Sequence, residues 1–369
     1  MISVTIDSPH PDIGPQWDDL ITRASSNVFM NPAALQAACE TNFARIKMLL
    51  AWAEDTGPRK LVGIWALHLR KVAPLWPMVL EALPYNYAFL SSPVVDPAFM
   101  DEVIPAFFAA IEKSPSLPKV VSLKSFDAEC PSYPAMLKVL AGRGIAPFIL
   151  AETARPFVTR EFGVKRSGST RKKLRQDWNR LSACGTVDVV NDRTLDGARH
   201  AFESFLALEK ASWKGVQGTA LLSDSRDAAF VRRMFHNLAA RQDASVALLR
   251  VDGEAIAAQV LMYCGATAYT WKTRLRCQIQ QVFAGYLADR SDDRGAFRRA
   301  GHSGDQFLRR RRKLHGPAVG RAPHHGRHAG PGRHGKIAGL PHGSRPPAWL
   351  PAPSQPARPV PEPDFGVDS

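Results

Sequence analysis

The stretch Val164-Lys-Arg-Ser-Gly-Ser-Thr-Arg-Lys-Lys-Leu-Arg-Gln-Asp-Trp-Asn-Arg-Leu181 opens on serine and threonine and then places Arg171, Lys172, Arg175 and Arg180 at helical spacing. Leu174, Trp178 and Leu181 recur at i, i+4 and i+7, so one face packs while another presents cations. Such a face can hold phosphates or an anionic polymer; an ordinary solvated basic face gives the same pattern.

Downstream, helices are predicted over 196–212 and 224–241. Between them runs Phe205-Leu-Ala-Leu-Glu-Lys-Ala-Ser-Trp-Lys-Gly-Val-Gln-Gly-Thr-Ala220, where the first helix is expected to end at Trp213-Lys-Gly215 before a turn at Gly218. Strands follow at 244–251, 255–263 and 266–272, the first two joined by Asp252-Gly253, a strong hairpin signal. Upstream, the same grammar appears. A strand at 2–6 and a helix at 15–25 lead to a second helix whose first turn takes Pro32 and whose cap is Asn31. A hairpin of 45–53 and 60–70 comes next, then a strand at 87–95, a helix at 97–113, a strand at 119–124 and a helix at 134–143. The two halves read as a duplication of one α/β plan, joined near 145–160.

The S-x-x-x-R-K-x-L-R helix, the L-E-x-x-x-W-K-G-x-x-G-T-A segment, the Asp252-Gly253 hairpin and the strand ending Tyr269-Thr-Trp-Lys272 occur in that order. Over roughly 155–273 they resemble the acetyltransferase domain of CelD-like proteins of cellulose biosynthesis, a branch of the GNAT-like acyl-CoA N-acyltransferases. The first half resembles the N-terminal half of those proteins through Phe29-Met-Asn-Pro-Ala-Ala-Leu35. The resemblance implies tandem GNAT-like domains with mixed, largely antiparallel sheets flanked by helices, distantly akin in plan to FemABX aminoacyltransferases. It also implies direct transfer of an acyl group from acetyl-CoA or another acyl-CoA to an amine or hydroxyl. The acceptor would be a sugar, polysaccharide precursor or other small molecule. On that reading Lys272 and Tyr269 are the catalytic candidates, Arg171, Lys172 and Arg175 the groups that hold the donor's phosphates, and Glu209, Trp213 and Lys214 the acceptor contacts. A catalytically silent acyltransferase fold and a FemABX-like use of aminoacyl-tRNA are the alternatives.

Composition narrows the classes. An apolar fraction of 45% over 369 residues supplies cores for two domains. Cys39, Cys130, Cys184, Cys264 and Cys277 are scattered and form no C-x-x-C pair, which argues against a disulfide framework and a zinc knuckle. His200 and His236 have no partner at metal spacing, so no metal is expected. Apolar windows fall short of a bilayer span, and Met1-Ile-Ser-Val-Thr-Ile-Asp has no secretory pattern, so the cytoplasm is the expected compartment. Of the net charge of +14, residues from Arg274 onward hold +10, leaving a mildly basic body and no case for specific nucleic-acid binding.

At Arg274 the composition changes: the last 96 residues carry 12 prolines and 13 glycines with Arg309-Arg-Arg-Arg-Lys313 and His-rich fragments. Little of this can bury a core. The expected organisation is a first domain over 1–150, an acyltransferase domain cut short over 151–287, and a disordered Arg/Pro/Gly/His-rich tail over 288–369. In the family, the strand matching Lys272 continues through an A-Y-D-type segment to an S-P-G turn that opens a helix and supplies the pyrophosphate loop. Here Arg274-Leu-Arg-Cys-Gln-Ile-Gln-Gln-Val-Phe-Ala-Gly-Tyr-Leu287 stands in its place. Codon degeneracy lets the bases for 275–287 be read one position later as Tyr-Asp-Ala-Lys-Phe-Ser-Lys-Phe-Ser-Pro-Gly-Ile. A frameshift near 273 accounts for both the departure and the tail. Sequencing the locus is expected to reveal the family-like continuation in that second frame; a locus without it removes the explanation.

Overall fold

The computed structural model describes residues 1–54, 59–71, 73–84, 87–155, 158–159, 163 and 167–275, together with the backbone of 306–308. The disordered-tail expectation and the 276–287 continuation lie outside the described residues.

Chain order begins with β1 (Ile2–Asp7), α1 (Gly14–Leu20), α2 (Pro32–Glu40), β2 (Ile46–Ala53), β3 (Lys60–Lys71), β4 (Met78–Glu81) and β5 (Val94–Val95). It continues through α3 (Met100–Lys113), β6 (Val121–Ser122) and α4 (Ser132–Gly142). These strands form one sheet in the order β1-β2-β3-β4-β6, with β5 also on β3; all pairs are antiparallel except β4 with β6. After β7 (Val158–Thr159) come α5 (Gly168–Ser182), β8 (Val187–Val190), α6 (Leu195–Lys210), α7 (Trp213–Val216) and α8 (Ser225–Ala240). Then β9 (Ala244–Val251), β10 (Glu254–Cys264), β11 (Thr267–Leu275) and the short β12 (Gln306–Leu308) complete a second sheet, ordered β7-β12-β11-β10-β9-β8. In this sheet only β11 with β12 is parallel. The expected α/β class, with two mixed and largely antiparallel sheets flanked by helices, is what the chain adopts.

Local sequence explains the elements. Val103, Ile104, Phe107 and Ile111 form the buried stripe of α3, which lies on the first sheet so closely that a Cβ on Gly63 would come within 2.7 Å of Val103 Cγ1. The Asn31 side chain accepts from Ala33 N at 3.0 Å, capping α2 where Pro32 begins it, as the sequence predicts. In α5, Leu174, Trp178 and Leu181 pack together against Leu249, Ile256 and Ala257. Three expectations are corrected. The strand expected at 87–95 is reduced to β5, and that at 119–124 to β6. The helix expected to run to Gly215 stops at Lys210, because Ser212 turns extended (φ −87°, ψ 175°) and its side chain caps a separate turn, α7, by accepting from Lys214 N. The short strands β4, β7 and β8 carry no alternation long enough to read in advance.

The described residues fall within one compact unit, Met1–Lys313, and the two sheets share a continuous core. Phe43 stacks on Phe230 with centroids 4.1 Å apart. Asn237 Nδ2 donates to Ala33 O, Arg226 donates to the carbonyls of Asn42 and Phe43, and Arg241 pairs with Asp18. Asn31 has a second task here, donating from Nδ2 to Asp243 at 3.1 Å. Burial is the main cause that raises the Asp243 carboxyl above its usual value, with Arg241 and Asn31 opposing it. Asn31→Ala removes a helix cap and one partner of a buried carboxyl together. It is expected to lower unfolding stability in urea by about 1–3 kcal/mol, whereas an unchanged midpoint would show that the cap contributes nothing.

Candidate active site

Glu209 sits at the end of α6 and is 1% exposed. A carboxylate so placed must be fully partnered. Its Oε2 accepts from Leu221 N at 2.9 Å and its Oε1 from Arg274 Nη2 at 3.2 Å, with Lys214 Nζ 4.0 Å from the same oxygen. The Glu209 backbone carbonyl also accepts from Ser212 Oγ at 2.7 Å. These bonds wrap the segment 212–221 around the carboxylate. Within it, Lys214 O accepts from Thr219 N and Ala220 N. A Cβ on Gly215 would fall 1.7 Å from Lys210 O, and Gly218 has φ +69°. Both glycines of the W-K-G-x-x-G motif are therefore required by backbone geometry.

Arg274 reaches this carboxylate, and Lys272 feels its charge, because β11 is irregular. Tyr269 pairs with Met262 and Thr270 with Leu261, but Lys272 pairs with Val260, so Trp271 is an extra residue opposite no partner on β10. This bulge resets the alternation. Lys272 and Arg274 stand opposite Val260 and Ala258, whose side chains belong to the core that α6 covers. Without the extra residue, they would face the other side of the sheet.

The electrostatics are lopsided. Burial is the largest cause lowering the Lys272 amine, to about 8; Lys214 and Arg274 lower it further, and Glu209 and Asp227 oppose them. Lys214 is also lowered, first by burial and then by Arg274, despite the attraction of Glu209. Arg274 Nε is buried with no hydrogen-bond partner among the described residues. Tyr87 closes the group from the first half of the chain. Its carbonyl accepts from Trp271 Nε1 at 3.2 Å, and its phenol is raised by burial and by a hydrogen bond to Asp227.

The candidate residues thus divide. Glu209, Lys214 and Lys272 come together, and Trp213 stands beside them, 49% exposed, with Lys214 Nζ 5.8 Å from its ring centroid. Tyr269 is engaged elsewhere: its hydroxyl donates to Ser26 O at 2.7 Å, its ring packs against the Phe29–Phe89 pair, and burial raises its pKa. Arg171, Lys172 and Arg175 are exposed on α5, which packs on the sheet face bearing Leu249 and Ala257, opposite the Glu209 face. Tyr87, Asp227 and Arg274 were not expected. Tyr87 lies far from the motif in sequence, Asp227 follows it outside the motif in the first turn of α8, and Arg274 falls where the family pattern breaks. Among the described residues no group of three or more His, Cys, Asp or Glu is arranged for a metal, and no helix is long and apolar enough to cross a membrane.

The Lys272 shift has a stability consequence. Its folded value of about 8 lies below the ordinary 10.5, so the unfolded chain binds the extra proton between these values and stability rises with pH there. Below about pH 8 the cost of burying the ammonium is borne in full. Lys272→Met is expected to be more stable than the parent at pH 7 by about 1–3 kcal/mol. The gain should disappear above pH 10.5. A constant difference across that range would refute the shift.

Comparison with known proteins finds a family match over part of the second half. Residues 168–287 match the family model described as an acetyltransferase (GNAT) domain. No curated protein matches the sequence. Among solved structures the chain is similar to FemX, at 13% identity and TM-score 0.49, covering 73% of this chain and 80% of that one. It is also similar to a conserved protein of unknown function from Bacteroides thetaiotaomicron, at 12% identity and TM-score 0.46, covering 75% and 82%. A tandem GNAT protein from the clavulanic acid biosynthesis pathway aligns at 12% identity and TM-score 0.35, covering 75% and 80%. Over residues 168–287, which contain α5, the W-K-G segment and the bulged strand with Lys272, the chain is thus similar to the acetyltransferase (GNAT) domain family.

Proposed function

We propose that this chain is an acyl-CoA-dependent N- or O-acyltransferase of the CelD-like branch, acting in the cytoplasm on a sugar, polysaccharide precursor or comparable small acceptor. Acetyl-CoA is the donor we assign. The observation that carries the reading is Lys272. Its amine is partly buried on a bulged strand inside the acetyltransferase match, within the electrostatic reach of Glu209, with a pKa near 8. A base with a pKa close to the working pH suits proton transfer.

In the proposed reaction the neutral Lys272 amine accepts the proton of the acceptor's N–H or O–H as that atom bonds to the thioester carbonyl carbon. The C–S bond then breaks, and the Lys272 ammonium returns its proton to the departing thiolate, giving free CoA. Lys214 and the unpaired Arg274 Nε supply positive charge near the oxyanion of the tetrahedral intermediate. Trp271, the unpaired residue of the bulge, leaves backbone groups free of β10 to align the donor. Arg171, Lys172 and Arg175 are the cations assigned to the donor's phosphates, and Trp213 offers an exposed ring to the acceptor. Tyr269 is assigned to orienting β11 against the first half through Ser26, not to proton transfer. A catalytically silent fold has one observation in its favour: Arg274, from the segment that departs from the family, already occupies a Glu209 oxygen.

Calorimetry with acetyl-CoA, followed by CoA-thiol release with amino-sugar acceptors, tests the proposal. Binding is expected, with transfer that rises with pH through a limb near 8 and is lost in Lys272→Met. Arg171→Glu combined with Arg175→Glu should weaken binding by about tenfold or more. Binding without transfer supports the silent fold, and the absence of acetyl-CoA binding by the folded chain overturns the donor assignment.

A further inference from the structure

The connection between β3 and β4 carries the most exposed large apolar pair beside a strand edge. Leu75 is 98% and Trp76 65% exposed, in the tight turn Pro74-Leu75-Trp76-Pro77, which Trp76 N closes by donating to Ala73 O at 3.1 Å. The two prolines limit the freedom of the turn, so little order is lost when it binds something. The surroundings are basic. Arg70 and Lys71 precede the turn, and no Asp or Glu occurs between Lys60 and Leu80. Lys71 pairs with Met78 across the β3–β4 ladder, and the β4–β6 register sets Lys119 and the 53% exposed Val120 at the same end of the sheet. Glu81, the acid on β4, is already held by Arg70 and Lys124.

We infer that this tip docks the protein on an anionic lipid surface, with Leu75 and Trp76 entering the headgroup region and Lys71 facing the lipid phosphates, while Arg70, bonded to Glu81, and Lys119, bonded to the carbonyls of Ile111 and Ser114, add positive charge at the same end of the sheet. Shape selects this occupant. The tip is a convex turn of two apolar side chains, far from the roughly 800 Å² per partner that a stable protein interface needs. A soft lipid interface accepts such a tip, and tryptophan suits it through its apolar body and polar edge. Reversible membrane attachment by a small apolar anchor requires a second, electrostatic signal, and the cations supply it. Docking would bring the proposed active site to acceptors carried at a membrane surface, and it does not depend on the acyltransfer reading.

The test is co-sedimentation of the full chain with vesicles of equal parts phosphatidylglycerol and phosphatidylcholine, alongside pure phosphatidylcholine vesicles, with hydrogen exchange read over residues 73–78. The expected result is binding to the anionic vesicles only, with slowed exchange at 73–78. Leu75→Ser combined with Trp76→Ser should weaken binding about tenfold or more while leaving the thermal midpoint unchanged. Three results would overturn the inference. The first is equal binding by the double variant, or binding without protection at 73–78, which assigns attachment to the basic C-terminal residues. The second is equal binding to the neutral vesicles. The third is protection that grows with protein concentration alone, which assigns the tip to self-association.

Discussion

The carboxylate of Glu209 is the constraint around which the second half of this protein is arranged. Removing a carboxylate from water costs several kcal/mol unless every lone pair finds a donor. Glu209 meets that demand from three separate parts of the chain: Leu221 N, Lys214 and Arg274. Satisfying it fixes the end of α6, the turn α7, the loop to α8 and the last residues of β11 in one geometry. The W-K-G motif follows from this. Its lysine faces the carboxylate, its backbone carbonyl collects Thr219 and Ala220, and its glycine lets the turn pass against Lys210.

The charge balance that results is also the basis of the proposed chemistry. Lys214 and Arg274 share Glu209, Lys272 feels its charge, and Asp227 adds a second acid that is also bonded to Tyr87. Burial and like charge outweigh the acids at Lys272, so its proton is weakly held for a lysine. The β11 bulge makes this arrangement accessible to the strand, and the first half of the chain closes it. Trp271 bonds to the Tyr87 carbonyl and Tyr269 to that of Ser26, so two loops of the first half hold β11 at separate points. The first half therefore contributes to the site while its own core packs around Trp65 and Phe107.

Periodicity made much of the fold legible. The β2–β3 and β9–β10 hairpins, the capped α2 and the apolar stripes of α5 and α8 follow from spacing, cap and turn residues read locally. Strands of two to four residues, such as β6 and β8, are made by pairing with distant neighbours, and no local signal announces them. The site was half legible. Glu209, Lys214 and Lys272 could be singled out because they stand in motifs of fixed spacing. Tyr87 could not, since only the joining of the two halves brings it to β11, and Asp227 stands in the first turn of α8 outside any motif. The bulge was equally hidden: strict alternation sends Tyr269 and Lys272 to opposite faces, and the extra residue at Trp271 puts both on one. Once there, Tyr269 is taken up by Ser26 and its neighbouring rings.

If Glu209 organises the site as described, Lys272 must report it. Carbon NMR of the Lys272 ε-methylene, titrated in the parent and in Glu209→Gln, tests this most directly. The account predicts a pKa near 8 in the parent and a lower one in the variant, because removing the carboxylate leaves Lys272 among cations alone. A value near 10.5 in both proteins would contradict it, since Lys272 would then be neither buried nor coupled to Glu209.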